Sequence, residues 1–384
     1  MEPPTVLSGP MNIPRKLLLG PGPSNMPPEV ASTLQEPLLG YLHPEFLQIM
    51  DEVREGIKYA FQTNNRMTMA VSGTGHSGME AALVNLLERG DKVLVAENGI
   101  WGQRAAEVSD RCGAQVEKIV LPPGNAFDLA TIEEALARVK PVVLFVCHGE
   151  SSCGVQQSLE GIGAACHKND CLFLVDTVAS LGAAPFQMDQ LEVDCVYSAT
   201  QKALSCPPGL APISFSDRAW KKVENRKTKV QSFYLDMALV ANYWGCFDEV
   251  RRYHHTGPTS TIYALRTGLS LLCKEGVHNS VKRHQTNSQL LQDGLAKLGL
   301  NMFVKDKNAR LPTINTVEVP EGVDWKAVVD YLMKNYQVEI AGGLGPTLGK
   351  IWRIGLMGHN STEETVEKVV SLIEEALAAQ KKAD

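Results

Sequence analysis

Val193-Asp194-Cys195-Val196-Tyr197-Ser198-Ala199-Thr200-Gln201-Lys202-Ala203-Leu204 decides the reading of this chain. A short apolar run ends there in small, hydroxylated and amide side chains around one lysine. Such a run, bounded by turn residues and rich in valine and tyrosine, reads as a buried strand that delivers Lys202 to its carboxyl end.

Working outward, the same pattern recurs. Met67 to Ser72, Lys92 to Ala96, Val142 to Cys147, Cys171 to Asp176 and Ala211 to Phe215 read as further buried strands, several of them V/L/F-rich without alternation. Helical patterns lie between them at Ser77 to Glu88, Gly102 to Arg111, Leu129 to Val139 and Gly161 to Lys168. Strand, helix, strand at this spacing predicts an α/β fold with a mainly parallel sheet covered on both faces. Ligands collect at the carboxyl ends of such strands. Asp176, Ser151 with Ser152, Trp101 and Lys202 all follow strand ends, so parallel strands would bring them to one edge.

Beyond about Leu269 the spacing lengthens. A strand is expected at Thr313 to Val319, a helix from Trp325 to Lys334, a strand at Ile351 to Gly355 and a last helix from Ser361 to about Ala379, with the glycine-rich Ala341 to Pro346 between them. The chain therefore divides into an N-terminal extension over 1–16, a large unit over 17–275 and a smaller α+β unit over 276–384.

Composition limits the function. The 384 residues suffice for two or three domains, and a hydrophobic content of 44% is ordinary for a globular protein. With 37 basic and 43 acidic residues, a net charge of -6 and no long like-charged block, a sequence-independent nucleic-acid partner is not expected. No apolar run reaches the ~18 residues of a membrane span. The nine cysteines are scattered, with no C-x-x-C pair, which reads as reduced thiols inside a cell rather than a disulfide framework or a zinc site. The start lacks a signal or transit pattern, and the final K-K-A-D is not an S-K-L type of peroxisomal address.

Gly73-Thr74-Gly75-His76-Ser77-Gly78 lies between a strand and a helix. Glycines let backbone N–H groups approach an anion, and the helix start adds partial positive charge, so this is a phosphate cradle. It is also a literal G-x-G-x-x-G, with Glu97 ending the next strand, which leaves a nicotinamide-dependent oxidoreductase as a rival. Lys202 and Asp176 weigh against that rival. Pyridoxal phosphate needs an amine to condense with its aldehyde, a carboxylate against its ring nitrogen and an anion site for its phosphate, whereas hydride transfer needs neither residue there. A third reading keeps the cofactor-binding fold without catalysis.

Eight motifs in order then carry a resemblance: L-L-L-G-P-G-P-S at 17–24, S-G-T-G-H-S-G-M-E-A at 72–81, N-G-I-W-G-Q-R at 98–104, H-G-E-S-S-C-G at 148–154, V-D-T-V-A-S-L at 175–181, S-A-T-Q-K-A-L at 198–204, R-Y-H-H-T at 252–256 and R-I-G-L-M-G at 353–358. Together they resemble the class V aminotransferases, and within them the alanine–glyoxylate (serine–pyruvate) and 3-hydroxykynurenine branches. The resemblance implies the type I pyridoxal-phosphate fold, with Lys202 bonded to the cofactor, Asp176 on its ring nitrogen and Trp101 stacked on its ring. Ser151 would lie near the phenolic oxygen. Thr74, Gly75, His76 and Gln201 would hold the phosphate, joined by Tyr253 and Thr256 from the second subunit of a homodimer. Arg353 would clamp the substrate carboxylate, with Gly22 shaping the entrance by backbone.

Blander readings stand beside these. Trp101 can be core packing, Arg353 an ordinary ion pair and His76 a turn residue. A metal at His254-His255 is rejected, because adjacent side chains on extended backbone point to opposite faces. Two departures matter. Thr200 stands where the relatives carry serine, which keeps the hydroxyl. Gly40 lacks the side chain with which the hydroxykynurenine enzymes reach a larger substrate, so a small donor, alanine or serine, with glyoxylate as acceptor is expected. The family further implies peroxisomal residence, with cytosol or mitochondrion as alternatives.

Overall fold

The computed structural model describes residues Met1–Gln380. The last four residues, on which the reading of the K-K-A-D end falls, lie outside them. The central sheet has seven strands in the order Met67–Ser72, Leu210–Phe215, Cys195–Tyr197, Leu172–Asp176, Val143–Cys147, Lys92–Glu97 and Gln115–Val120. Four neighbouring pairs are parallel. The Leu210–Phe215 strand runs antiparallel to both of its neighbours, so the expected convergence excludes it and holds for the other strands.

The physical reason for the sheet is burial. Val143–Cys147, Leu172–Asp176 and Leu210–Phe215 are buried at every position, the composition of strands covered on both faces. Helices Gly75–Leu86, Ile100–Arg111 and Leu129–Val139 supply part of that cover; the last starts where the Asp128 carboxylate accepts from the Thr131 amide. Two long helices, Pro44–Phe61 and Thr259–Glu275, pack on one another and close the same core.

A second core lies in a three-stranded antiparallel sheet of Ile314–Glu318, Ile351–Gly355 and Ala341–Gly342, packed by Val277–Lys297, Trp325–Tyr336 and Glu363–Gln380. Side chains alternate along Ile351–Gly355. Trp352 is buried in this core with its indole N–H on the Trp325 carbonyl, which leaves Arg353 facing the large unit. Leu17 and Leu18, read from sequence as the start of the large unit, pair with Val338 and Glu339, and Leu19 packs in the second core.

Candidate active site

Lys202 sits in the turn between the antiparallel strands Cys195–Tyr197 and Leu210–Phe215. Because Leu210 also pairs with Ser72, and the Gly73 amide donates to the Gly209 carbonyl (2.9 Å), the lysine turn and the glycine loop are neighbours. The segment after Leu19 crosses over the lysine. Its Pro21 carbonyl accepts from Lys202 Nζ, and the Ser24 amide donates to the Gln201 carbonyl (2.8 Å). Gly22 has φ +115°, and a Cβ there would lie 2.7 Å from Lys202 Cδ. Only a glycine therefore lets this segment lie against the lysine stem. Thr200 uses its hydroxyl, as expected, by donating to the Pro207 carbonyl (2.6 Å).

Asp176 and Tyr197 are register partners on adjacent parallel strands. The Tyr197 hydroxyl donates to Asp176 Oδ2 (2.6 Å) and the Val178 amide to Oδ1 (2.7 Å). These bonds hold the carboxylate in a fixed plane, yet burial raises its pKa from 3.8 to about 6. Burial also lowers Lys202 to about 8, helped by the Arg353 charge and opposed by Asp176. Burial thus brings the amine down and the carboxyl up toward neutral pH from opposite sides, a pair of groups poised near working pH.

In the glycine loop, Thr74 precedes the Gly75–Leu86 helix without capping it by its side chain. Among the described residues the Gly75 and His76 amides have no protein acceptor, as expected for first-turn donors. A Cβ at Gly75 would approach Val178 and Ala199 to 3.1 and 3.2 Å, so the loop packs closely on the Asp176 and Lys202 segments. His76 meets the Trp101 ring edge-on at 5.5 Å, and partial burial together with Arg104 lowers its pKa. The Gln201 amide oxygen is buried and has no hydrogen-bond partner. One pocket is lined by Thr74, Gly75, His76, Trp101, Asp176, Gln201 and Lys202, together with Met79 and Val178.

Trp101 is fixed from two sides. Its indole N–H donates to Ser151 Oγ (2.8 Å) and its amide to Glu150 Oε2 (3.0 Å). Glu150 was not read from sequence. It is wholly buried, accepts from the Ser152 amide and hydroxyl at 2.9 and 2.6 Å, and is raised to about 7 by burial. The signal present in sequence was an acid three residues past a buried strand and followed by two serines. Arg353, 9% exposed, donates Nε to the Gly342 carbonyl (2.8 Å) and makes a long 3.5 Å contact to the Ser151 carbonyl. No acidic side chain among the described residues pairs with it, so the ordinary ion-pair reading has no support. Glu150 acts on it only from beyond salt-bridge distance, and a buried guanidinium with no carboxylate in contact calls for an anion.

Of the expected residues outside that lining, Ser151, Gly22 and Arg353 adjoin it through Trp101, Lys202 and Ser151, whereas Tyr253, Thr256 and Gly40 do not line it. Tyr253, 53% exposed, and Thr256 face each other at 3.3 Å on the surface. Gly40 lies against His43, whose ring accepts from its amide at 3.1 Å. No group of His, Cys, Asp and Glu among the described residues is arranged to hold a metal.

The donor set suits pyridoxal phosphate. Lys202 offers an amine, Asp176 a buried carboxylate that a ring cation would return to its ionised form, and Gln201 a polar end with no protein partner. The free amides of the glycine loop suit its phosphate.

Comparison with known proteins agrees with this geometry. The model of the class V aminotransferase family matches residues 17–369. The chain is 52% identical to alanine–glyoxylate aminotransferase of Callithrix jacchus over 98% of this chain and 91% of that one. With the Drosophila melanogaster enzyme of the same name it shares 50% over 99% and 97%. The crystal structure of alanine–glyoxylate aminotransferase from Nostoc sp. superposes with a TM-score of 0.94 at 44% identity, covering 96% of this chain and 97% of that one. The ureidoglycine–glyoxylate aminotransferase of Bacillus subtilis superposes with a TM-score of 0.93 at 35% identity, over 96% and 94%. With a family model spanning nearly the whole chain and relatives identical at half of all positions, the chain belongs to the class V aminotransferases.

Proposed function

We propose that this protein moves the amino group of L-alanine to glyoxylate, giving pyruvate and glycine, with pyridoxal phosphate as cofactor. One observation carries the reading: a desolvated Lys202 amine feels the charges of both the buried Asp176 carboxylate and the Arg353 guanidinium, which has no acidic partner among the described residues. The glyoxylate acceptor is supported by the relatives, two kinds of which carry glyoxylate in their names.

Lys202 would bond the cofactor, with Asp176 at its ring nitrogen, Trp101 on its ring, Ser151 beside its phenolic oxygen, and Thr74, Gly75, His76 and Gln201 at its phosphate. When bound, the cofactor supplies an electron sink and a carrier for the amino group. The chain supplies the rest. The planar Arg353 fork binds and orients the substrate carboxylate. The Lys202 amine, free of its bond, takes the proton from the alanine Cα and returns it on the glyoxylate side as general base and acid. Asp176, held by Tyr197 and Val178, keeps a fixed negative charge where ring cation density is needed. A homodimer in which Tyr253 and Thr256 complete the phosphate site of the other copy is part of the same proposal, and their exposure in the single chain supports it.

The test is turnover of alanine with glyoxylate by the wild type and by Lys202→Ala, measured as pyruvate and glycine formed. We expect loss of turnover with an unchanged circular dichroism spectrum. Near-normal turnover by the variant would remove Lys202 from the chemistry.

A further inference from the structure

The rings of His254 and His255 turn toward one another rather than to the opposite faces expected from sequence, and an ordered chain of hydrogen bonds ties them into the glycine loop. His254 Nε2 lies 3.0 Å from the Phe233 carbonyl, His254 Nδ1 lies 2.7 Å from His255 Nδ1, and His255 Nε2 lies 2.6 Å from Ser72 Oγ. The carbonyl accepts only, so His254 Nε2 carries the proton. In a neutral ring its Nδ1 is then bare and accepts from the His255 Nδ1–H. His255 Nε2 is bare in turn and accepts from the Ser72 hydroxyl. One tautomer of each ring satisfies all three bonds.

Ser72 is the residue before Gly73, and it is held twice, because the Tyr234 hydroxyl donates to its carbonyl (3.0 Å). The far end of the chain is equally fixed. Phe233 stacks on His254 at 5.0 Å and 11°, and His255 lies between Tyr234 and Tyr243 at 5.0 and 5.7 Å. These rings pack against both imidazoles.

We propose that His255, through His254 and Ser72, is a positioning residue that sets the glycine loop for phosphate and pins the Tyr253 to Thr256 segment to that loop. The inference rests on the reading of the glycine loop as a phosphate site given above. A proton added to His255 goes to the bare Nε2 and reverses the bond to Ser72, whose hydroxyl must then accept instead of donate, so the arrangement described belongs to the neutral ring. The titratable groups facing His255 are His254, Tyr234 and Tyr243, with no acid among its neighbours in the described residues to favour a charge. Burial and His254 lower its pKa to about 4, so the arrangement holds throughout the neutral range.

The test uses the cofactor-free protein and two probes, pyridoxal 5'-phosphate and pyridoxal, which differ only by the phosphate. The ratio of their Kd values reads the phosphate site alone. His255→Phe keeps the ring packing and removes both bonds, whereas His255→Gln offers an oxygen to Ser72 and an N–H to His254. Ser72→Ala removes the hydroxyl with almost no change of shape. We expect His255→Phe and Ser72→Ala each to reduce the preference for the phosphorylated probe about tenfold, the net effect of one or two hydrogen bonds. The double variant should be no worse, and His255→Gln should stay within about twofold of wild type. An unchanged ratio in both His255→Phe and Ser72→Ala overturns the inference, and so does a Gln variant as weak as Phe. A wild type with no preference for the phosphorylated probe overturns the phosphate reading of the loop itself.

Discussion

Gly22→Ala is the substitution from which the geometry of the site predicts most. The added methyl would stand 2.7 Å from Lys202 Cδ and 2.8 Å from Cε, where carbon atoms in contact sit at about 3.5–4.0 Å. The lysine stem therefore has to retreat by roughly an ångström, and misplacement on that scale lowers turnover about 100-fold. Separately, φ +115° is a backbone region for glycine, and an alanine there costs about 1–3 kcal/mol. Gly90→Ala separates the two effects, since Gly90 has φ +88° but nothing within 4 Å of a Cβ. Measured by kcat with alanine and glyoxylate and by thermal melting, both variants should lose stability, and only Gly22→Ala should lose kcat. Equal kcat values in the two variants, or wild-type kcat in Gly22→Ala, would refute the placement of Gly22 against the lysine.

Other expectations follow from the buried charges. Asp176 has its folded pKa raised to about 6, so its contribution to stability is full below about pH 4 and is lost as pH rises through about 6, a loss of ~3 kcal/mol. In cofactor-free protein, Asp176→Asn should therefore gain on wild type in melting temperature between pH 4 and pH 6.5, and a constant difference would count against the buried carboxyl. Arg353→Lys keeps the charge and loses the fork, so KM for alanine and for glyoxylate should rise about 10- to 100-fold in steady-state assays, with a smaller change in kcat. An unchanged KM would take Arg353 away from the substrate carboxylate.

Much of this site was legible in the sequence because its residues follow strand ends. The buried runs at Met67–Ser72 and Leu172–Asp176 announce themselves by composition, and parallel strands then bring their ends together. The direction of Leu210–Phe215 was not legible, since a strand buried on both faces looks alike either way round. Gln115–Val120 was missed because it is an edge strand, mostly exposed and without a buried run. The pairing of Leu17 and Leu18 with Val338 and Glu339 spans the whole chain, and no local pattern encodes it. Glu150 was passed over because an acid beside two serines reads as a solvated turn until the Trp101 and Ser152 amides are seen to converge on it. The roles of Tyr253 and Thr256 came from resemblance alone, and their surface position in one chain follows if they serve another copy.

The most direct test of the central claim is the visible absorption spectrum of the purified protein with pyridoxal phosphate, recorded before and after L-alanine and again after glyoxylate. A cofactor band that alanine removes and glyoxylate restores is expected. A band indifferent to alanine, or no band in the presence of the cofactor, would contradict it.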